Sequence, residues 1–173
     1  MNSFNLEIFD DDFQYVTFYT VRKEGEDVSE TEKFIERFRS DVLHKDDFQQ
    51  IITLIEIMGD KRGATKDFFT RHEDEASALP PKKLWFLQVP LHNNKLRLYC
   101  CKISEHIVVL FNGGVKSAQT ALESEDLQSK FRDAKYFARR IWKEIQDEML
   151  IPVNDRHELQ DFNGRTPDSI HIP

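Results

Sequence analysis

The chain has 173 residues, 39% apolar and 32% charged, with a mean hydropathy of -0.58 and a net charge of -7. That length suits one ordinary domain, and no apolar run approaches the roughly 18–20 residues a membrane-spanning helix needs. The 12% aromatic content, with 14 Phe, supplies a real core and excludes wholesale disorder, and 6 Gly with 6 Pro exclude a collagenous or linker-dominated chain.

The acidic opening, MNSFNLEIFDDDF, lacks the basic and apolar regions of a secretory signal. Residues 13–22, FQYVTFYTVR, mix aromatic and β-branched residues in partial alternation and predict the first strand. Ser29 with Glu32 three positions on makes a capping box and predicts a helix over 30–44, with Phe34, Ile35, Phe38 and Val42 as its apolar stripe. Asp46 and Asp47 open a second helix over 46–58, closed by Gly59. The short join makes a helical hairpin. Residues 60–81 show no clean period, and Pro80-Pro81 ends them.

A meander of three antiparallel strands follows: KKLWFLQVP (82–90), KLRLYCCKIS (95–104) and IVVLFNG (107–113). In the second, Leu96, Leu98 and Cys100 alternate with Arg97, Tyr99 and Cys101. The third is apolar throughout, as a strand covered on both faces would be. A long helix over 123–149 carries Leu127, Phe131, Ala134, Phe137, Ala138, Ile141, Trp142 and Ile145 on one face, with Ser124 as its cap. From Ile151 on, periodicity is lost, three prolines intervene, and an extended tail over 151–173 is expected. The fold class expected is α+β: one domain over 1–150, with a small antiparallel sheet built from an N-terminal strand and the meander, packed with the helical hairpin and the long helix.

Charge is uneven. Residues 1–60 hold 6 Lys/Arg against 15 Asp/Glu, whereas residues 82–116 hold 6 against 1. A basic stretch in an acidic chain gives a local field suited to phosphate. Cys100 and Cys101 are the only cysteines and point to opposite strand faces, so no disulfide is expected; no CxxC or HExxH spacing marks a metal site. A reducing, cytoplasmic setting and no membrane contact follow as expectations.

The segments KKLWFLQ, LRLYC, HIVVLFNGGVKSAQ and DAKYFARR, taken in order, resemble the RelE/HigB-like toxins. The likeness in element order covers about residues 12–147, and the motif-level likeness covers 82–139. It implies a RelE-like fold and the toxin of a type II toxin–antitoxin pair: an endoribonuclease that cleaves messenger RNA at the ribosome, with no cofactor and a cognate antitoxin as partner. This chain has Phe86 and Gln88 where the family strand carries Glu and Arg, and Val115-Lys116 where it carries a Lys pair.

Metal-free RNA cleavage uses the 2′-hydroxyl as nucleophile and needs cations on the scissile phosphate, a base and an acid. Arg97, on the strand face opposite Leu96 and Leu98, is expected to project from the non-core side of the sheet and clamp phosphate. Lys116, after the Gly113-Gly114 turn, is a phosphate-binding Lys by the resemblance. Tyr99 shares Arg97's face and is placed to stack a base or donate a proton. Lys82, Lys83 and Lys95 are placed to contact the RNA backbone. A second reading stays open: a catalytically inactive RelE-fold protein that binds a protein partner.

Overall fold

Residues 3–84, 87, 93–116 and 125–173 are described by a computed structural model. Their elements run β1 (Phe4–Asp10), β2 (Thr17–Lys23), α1 (Glu30–Phe38), α2 (Lys45–Ile57), β3 (His72–Glu73), β4 (Ala76–Leu79), β5 (Leu96–Ser104), β6 (Ile107–Val115), α3 (Glu125–Gln146), β7 (Leu150–Val153), β8 (Glu158–Asp161) and β9 (Ser169–Ile172). Seven strands form one sheet in the order β3-β4-β5-β6-β2-β1-β9. Every pairing in it is antiparallel except β2 with β6. The chain is α+β with a mostly antiparallel sheet.

The period of two in the strands divides their side chains between two cores. Leu96, Leu98 and Cys100 of β5 meet Phe34 and Phe38 of α1 and Ile51, Leu54 and Ile55 of α2 on one face. Tyr99 and Cys101 of β5 meet Leu127, Phe131, Phe137 and Ile141 of α3 on the other. β6 feeds both, with Val108 and Leu110 on the α1/α2 face and Val109 and Phe111 on the α3 face. Its unbroken apolar run is therefore that of a strand covered on both sides.

Ser29 and Glu32 form the expected capping box of α1. The helix stops at Phe38, short of 44, because Asp41 captures the backbone locally: its carboxylate accepts from the Leu43 N–H at 2.9 Å and meets His44 Nδ1 at 3.0 Å. A short 3₁₀ turn follows, and Val42, expected on the apolar stripe, is 90% exposed. The first strand starts at Thr17 rather than 13, and an additional strand, β1, precedes it.

The strand that pairs with β5 on the side away from β6 is β4, where residues 82–90 were expected. Ala76–Leu79 is buried at all four positions and pairs with Ser77 opposite Cys100 and Leu79 opposite Leu98. Lys82–Leu84 and Leu87 lie outside strands, and Leu87 N–H donates to the Leu84 carbonyl in a tight turn. The rest of 85–92, and the expected cap Ser124, lie outside the described residues.

The expected tail is part of the fold. β7 and β8 pair as a hairpin, held to the sheet by a hydrogen bond from the Leu159 N–H to the Tyr19 hydroxyl at 2.8 Å. β9 adds to β1, with Ile170 and Ile172 buried in the α3-side core. Four-residue strands are too short for alternation to stand out in sequence, and the partner of β9, β1, lies more than 160 residues away.

Candidate functional site

The basic stretch comes together where β5 begins and β6 ends. Leu96 pairs with Val115 and Arg97 with Gly114, and the Lys116 N–H donates to the Lys95 carbonyl at 2.7 Å. Leu96 and Val115 pack on the α1/α2 face. By alternation, Lys95, Arg97, Gly114 and Lys116 belong to the α3 side. Lys95 and Lys116 therefore face one another across the end of the ladder, with the Arg97–Gly114 pair next to them. Lys95 is exposed and Lys116 half-buried, and neither ammonium pairs with a carboxylate among the described residues.

Local hydrogen bonds fix this end. Asn94 is buried; its Nδ2 donates to the Asp47 carbonyl at 3.0 Å and to Gln50 Oε1 at 2.8 Å, and its Oδ1 accepts from the Leu96 N–H at 2.8 Å. The Lys95 N–H donates to Asp47 Oδ2 at 3.0 Å. Asn94 thus pins the start of β5 to α2, satisfying backbone groups that no strand reaches. On β6, a Cβ at Gly113 would lie 1.7 Å from the Arg97 carbonyl, so only glycine permits this approach.

Arg97 does not project into solvent. It is 7% exposed, and its Nη1 donates to the Asn94 carbonyl at 2.6 Å and the Leu96 carbonyl at 2.8 Å. Burial, with the neighbouring charge of Arg71, lowers its pKa to about 10, so it remains a cation at neutral pH. The expectation that Arg97 stands on an uncovered face is corrected: α3 covers that face. Tyr99 is corrected in the same way. It is buried, and its ring lies 5.3 Å from that of Phe131 on α3, where no base could stack on it. Lys82 and Lys83 are exposed, but they lie outside the sheet, the Lys82 N–H bound to Thr70 Oγ1 at 2.9 Å.

Of the six residues singled out from sequence, the structure brings Lys95, Arg97 and Lys116 together. It gives Tyr99 to the core and leaves Lys82 and Lys83 on a separate segment. Asn94 and Asp47 are the supports that sequence reasoning missed. Asn94 follows Asn93 in the run HNN, residue types common in turns, and nothing local to it points to α2. No group of three or more metal-ligating side chains occurs among the described residues, and no helix there is long and apolar enough to cross a membrane. No family model, curated protein or solved structure matches the chain.

Proposed function

We propose that the chain is a RelE/HigB-like toxin of a type II toxin–antitoxin pair, a metal-independent endoribonuclease directed at messenger RNA on the ribosome. The reading is supported most by the facing pair Lys95 and Lys116. Like charges directly opposite each other on a ladder cost stability, and a phosphate between them relieves that cost. From β2 to α3 the described elements also run strand, two helices, further strands and a long helix, the order that the resemblance implies, with β1 before and β7–β9 after them as additions.

In this reading Lys95 and Lys116 hold the oxygens of the scissile phosphate and offset the charge that develops as the 2′-hydroxyl attacks. Arg97 acts from beneath as a positioning residue. It shapes the 94–96 backbone that carries Lys95 and adds a fixed positive charge under the site. The cognate antitoxin covers the cationic end, and the acidic N-terminal half is scaffold.

One observation favours the second reading, a catalytically inactive RelE-fold protein that binds a protein partner. Arg97 and Tyr99, two of the three residues assigned to catalysis, are committed to the fold.

Titration of a fluorescent single-stranded RNA against a salt series separates the two. One neutralised phosphate predicts a slope of about -0.7 in log K against log salt, and Lys95→Ala with Lys116→Ala flattens it. RNA binding that is absent, or unchanged in the double variant, supports the protein-binding reading.

A further inference from the structure

A second concave site lies at the other end of β5. Lys102 lies seven residues along the strand from Lys95, about 23 Å away at the usual strand rise. Here the last turns of α3, the edge pair β3–β4 and the 66–69 turn enclose a cleft of about 570 Å³. That volume falls in the range of small-molecule sites.

The lining divides into rings and cations. Trp142 is half-buried and packs against the α3-side core that holds Cys101. Phe69 lies nearby with Lys102 Nζ 5.7 Å from its ring centroid. The charges do not cancel evenly. Arg139 is occupied, its Nη2 with Asp74 at 3.0 Å and its Nε with Glu75 at 3.1 Å. Lys143 is paired with Asp147 at 2.7 Å. Lys66 and Lys102 both line the cleft, and no carboxylate pairs with either among the described residues. Two ammonium groups without a carboxylate partner, in one cleft with an indole, form a recognition surface for a planar ring that carries an anion. The carboxylates hold Arg139 back from the ligand and bar a second anionic group on that wall.

We propose that this cleft binds a nucleotide unit, with the base on Trp142 and the phosphate on Lys66 and Lys102. The inference is independent of the proposed nuclease, because it uses none of the residues at the other end of the strand. The same unit can come as a free mononucleotide or as the terminal residue of an RNA strand.

The test is Trp142 fluorescence in a Trp85→Phe background, titrated with AMP, adenosine, inorganic phosphate and a 5′-phosphorylated hexaribonucleotide. AMP is expected to quench the signal saturably. Adenosine or phosphate alone should bind roughly tenfold or more weakly, each lacking half of the contacts. Lys66→Ala with Lys102→Gln should weaken AMP about tenfold while leaving the melting temperature in place. Lys95→Ala with Lys116→Ala should leave AMP binding untouched, so failure of the nuclease reading and failure of this one are distinguishable. Tighter binding of the hexamer than of AMP assigns the unit to an RNA end, and the reverse order assigns it to a free nucleotide. The proposal is overturned if neither AMP nor the hexamer gives saturable quenching up to about 10 mM, a ceiling that corresponds to negligible affinity. It is also overturned if phosphate alone matches AMP, or if the Lys66/Lys102 variant binds as wild type does.

Discussion

Glu30 is a buried charge that ties α1 to β6 near the cationic end. It is the first residue of α1 and 2% exposed. Its carboxylate accepts from Asn112 Nδ2 at 3.0 Å, with Lys23 Nζ at 3.3 Å and Lys33 Nζ at 3.4 Å. Asn112 immediately precedes Gly113 and Gly114, so this contact ties α1 to the part of β6 that leads into Lys116. Glu30→Ala removes one partner of a buried ion pair, which typically costs about 3–5 kcal/mol. Lys23 keeps a second partner in Asp133 at 2.9 Å, which moves the figure toward the lower end. Asn112 is left with a buried donor and no acceptor from Glu30, worth about 1–3 kcal/mol in the same direction. The two costs overlap, and the expected loss is about 3–4 kcal/mol, or roughly 10 °C in Tm for a chain of this length. Glu30→Gln retains an acceptor for Asn112 and should fall midway. Urea melts followed by circular dichroism at neutral pH measure both. A loss below about 1 kcal/mol for Glu30→Ala, or equal losses for Ala and Gln, would refute the reasoning. The same group sets an acid limit. Burial alone would raise its pKa, but the Asn112 hydrogen bond and the charges of Lys23 and Lys33 outweigh burial and lower it. Its stabilisation is therefore fully present above the unfolded carboxylate value near 4.3 and is lost as pH falls through the folded value.

Ile172→Ala, at a position 1% exposed, should cost about 2–4 kcal/mol in urea melts; a neutral result would mean that β9 is not docked. Arg97→Ala should destabilise by about 1–3 kcal/mol through its two lost carbonyl contacts, whereas Lys95→Ala and Lys116→Ala should each stay within about 0.5 kcal/mol. The His157 ring in the β7–β8 turn stacks on His106 at 4.4 Å, and burial together with the His106 charge lowers its pKa. Its neutral form favours the fold, so stability should be level above about pH 6.5, the unfolded value, and decline below it until the folded value is passed. His157→Gln should remove that decline in pH-dependent melts. Burial first of all pushes the thiol pKa values of Cys100 and Cys101 up, so native protein should leave both unmodified by a thiol reagent at neutral pH and release both in denaturant.

The parts of the fold that were legible in sequence are those whose signals are local. The capping box at Ser29 and Glu32, the alternation through Leu96–Cys101 and the apolar run of β6 each depend on residues within one element. What was not legible depends on partners far away in the chain. Ala76–Leu79 has no more strand character than the KKLWFLQ run beside it, and its place is set by pairing with β5. Phe4, Leu6 and Ile8 alternate, so β1 carries a period-two signal, but it is short and runs straight into the acidic Asp10–Asp12. The site divides in the same way. Lys95, Arg97 and Lys116 could be grouped from strand register alone, since ladder geometry is regular. Whether the α3 side of the sheet is open or covered depends on where a helix that begins beyond residue 116 comes to rest, and that decides the fate of Arg97 and Tyr99.

The most direct test of the functional account is induced expression of wild type and of Lys95→Ala/Lys116→Ala, with messenger RNA cleavage mapped by primer extension. The account predicts growth arrest and discrete cleavage sites with wild type, and loss of both in a double variant that melts like wild type. Soluble, folded wild type that neither arrests growth nor cuts messenger RNA would contradict it and leave the chain as a binding protein on this scaffold.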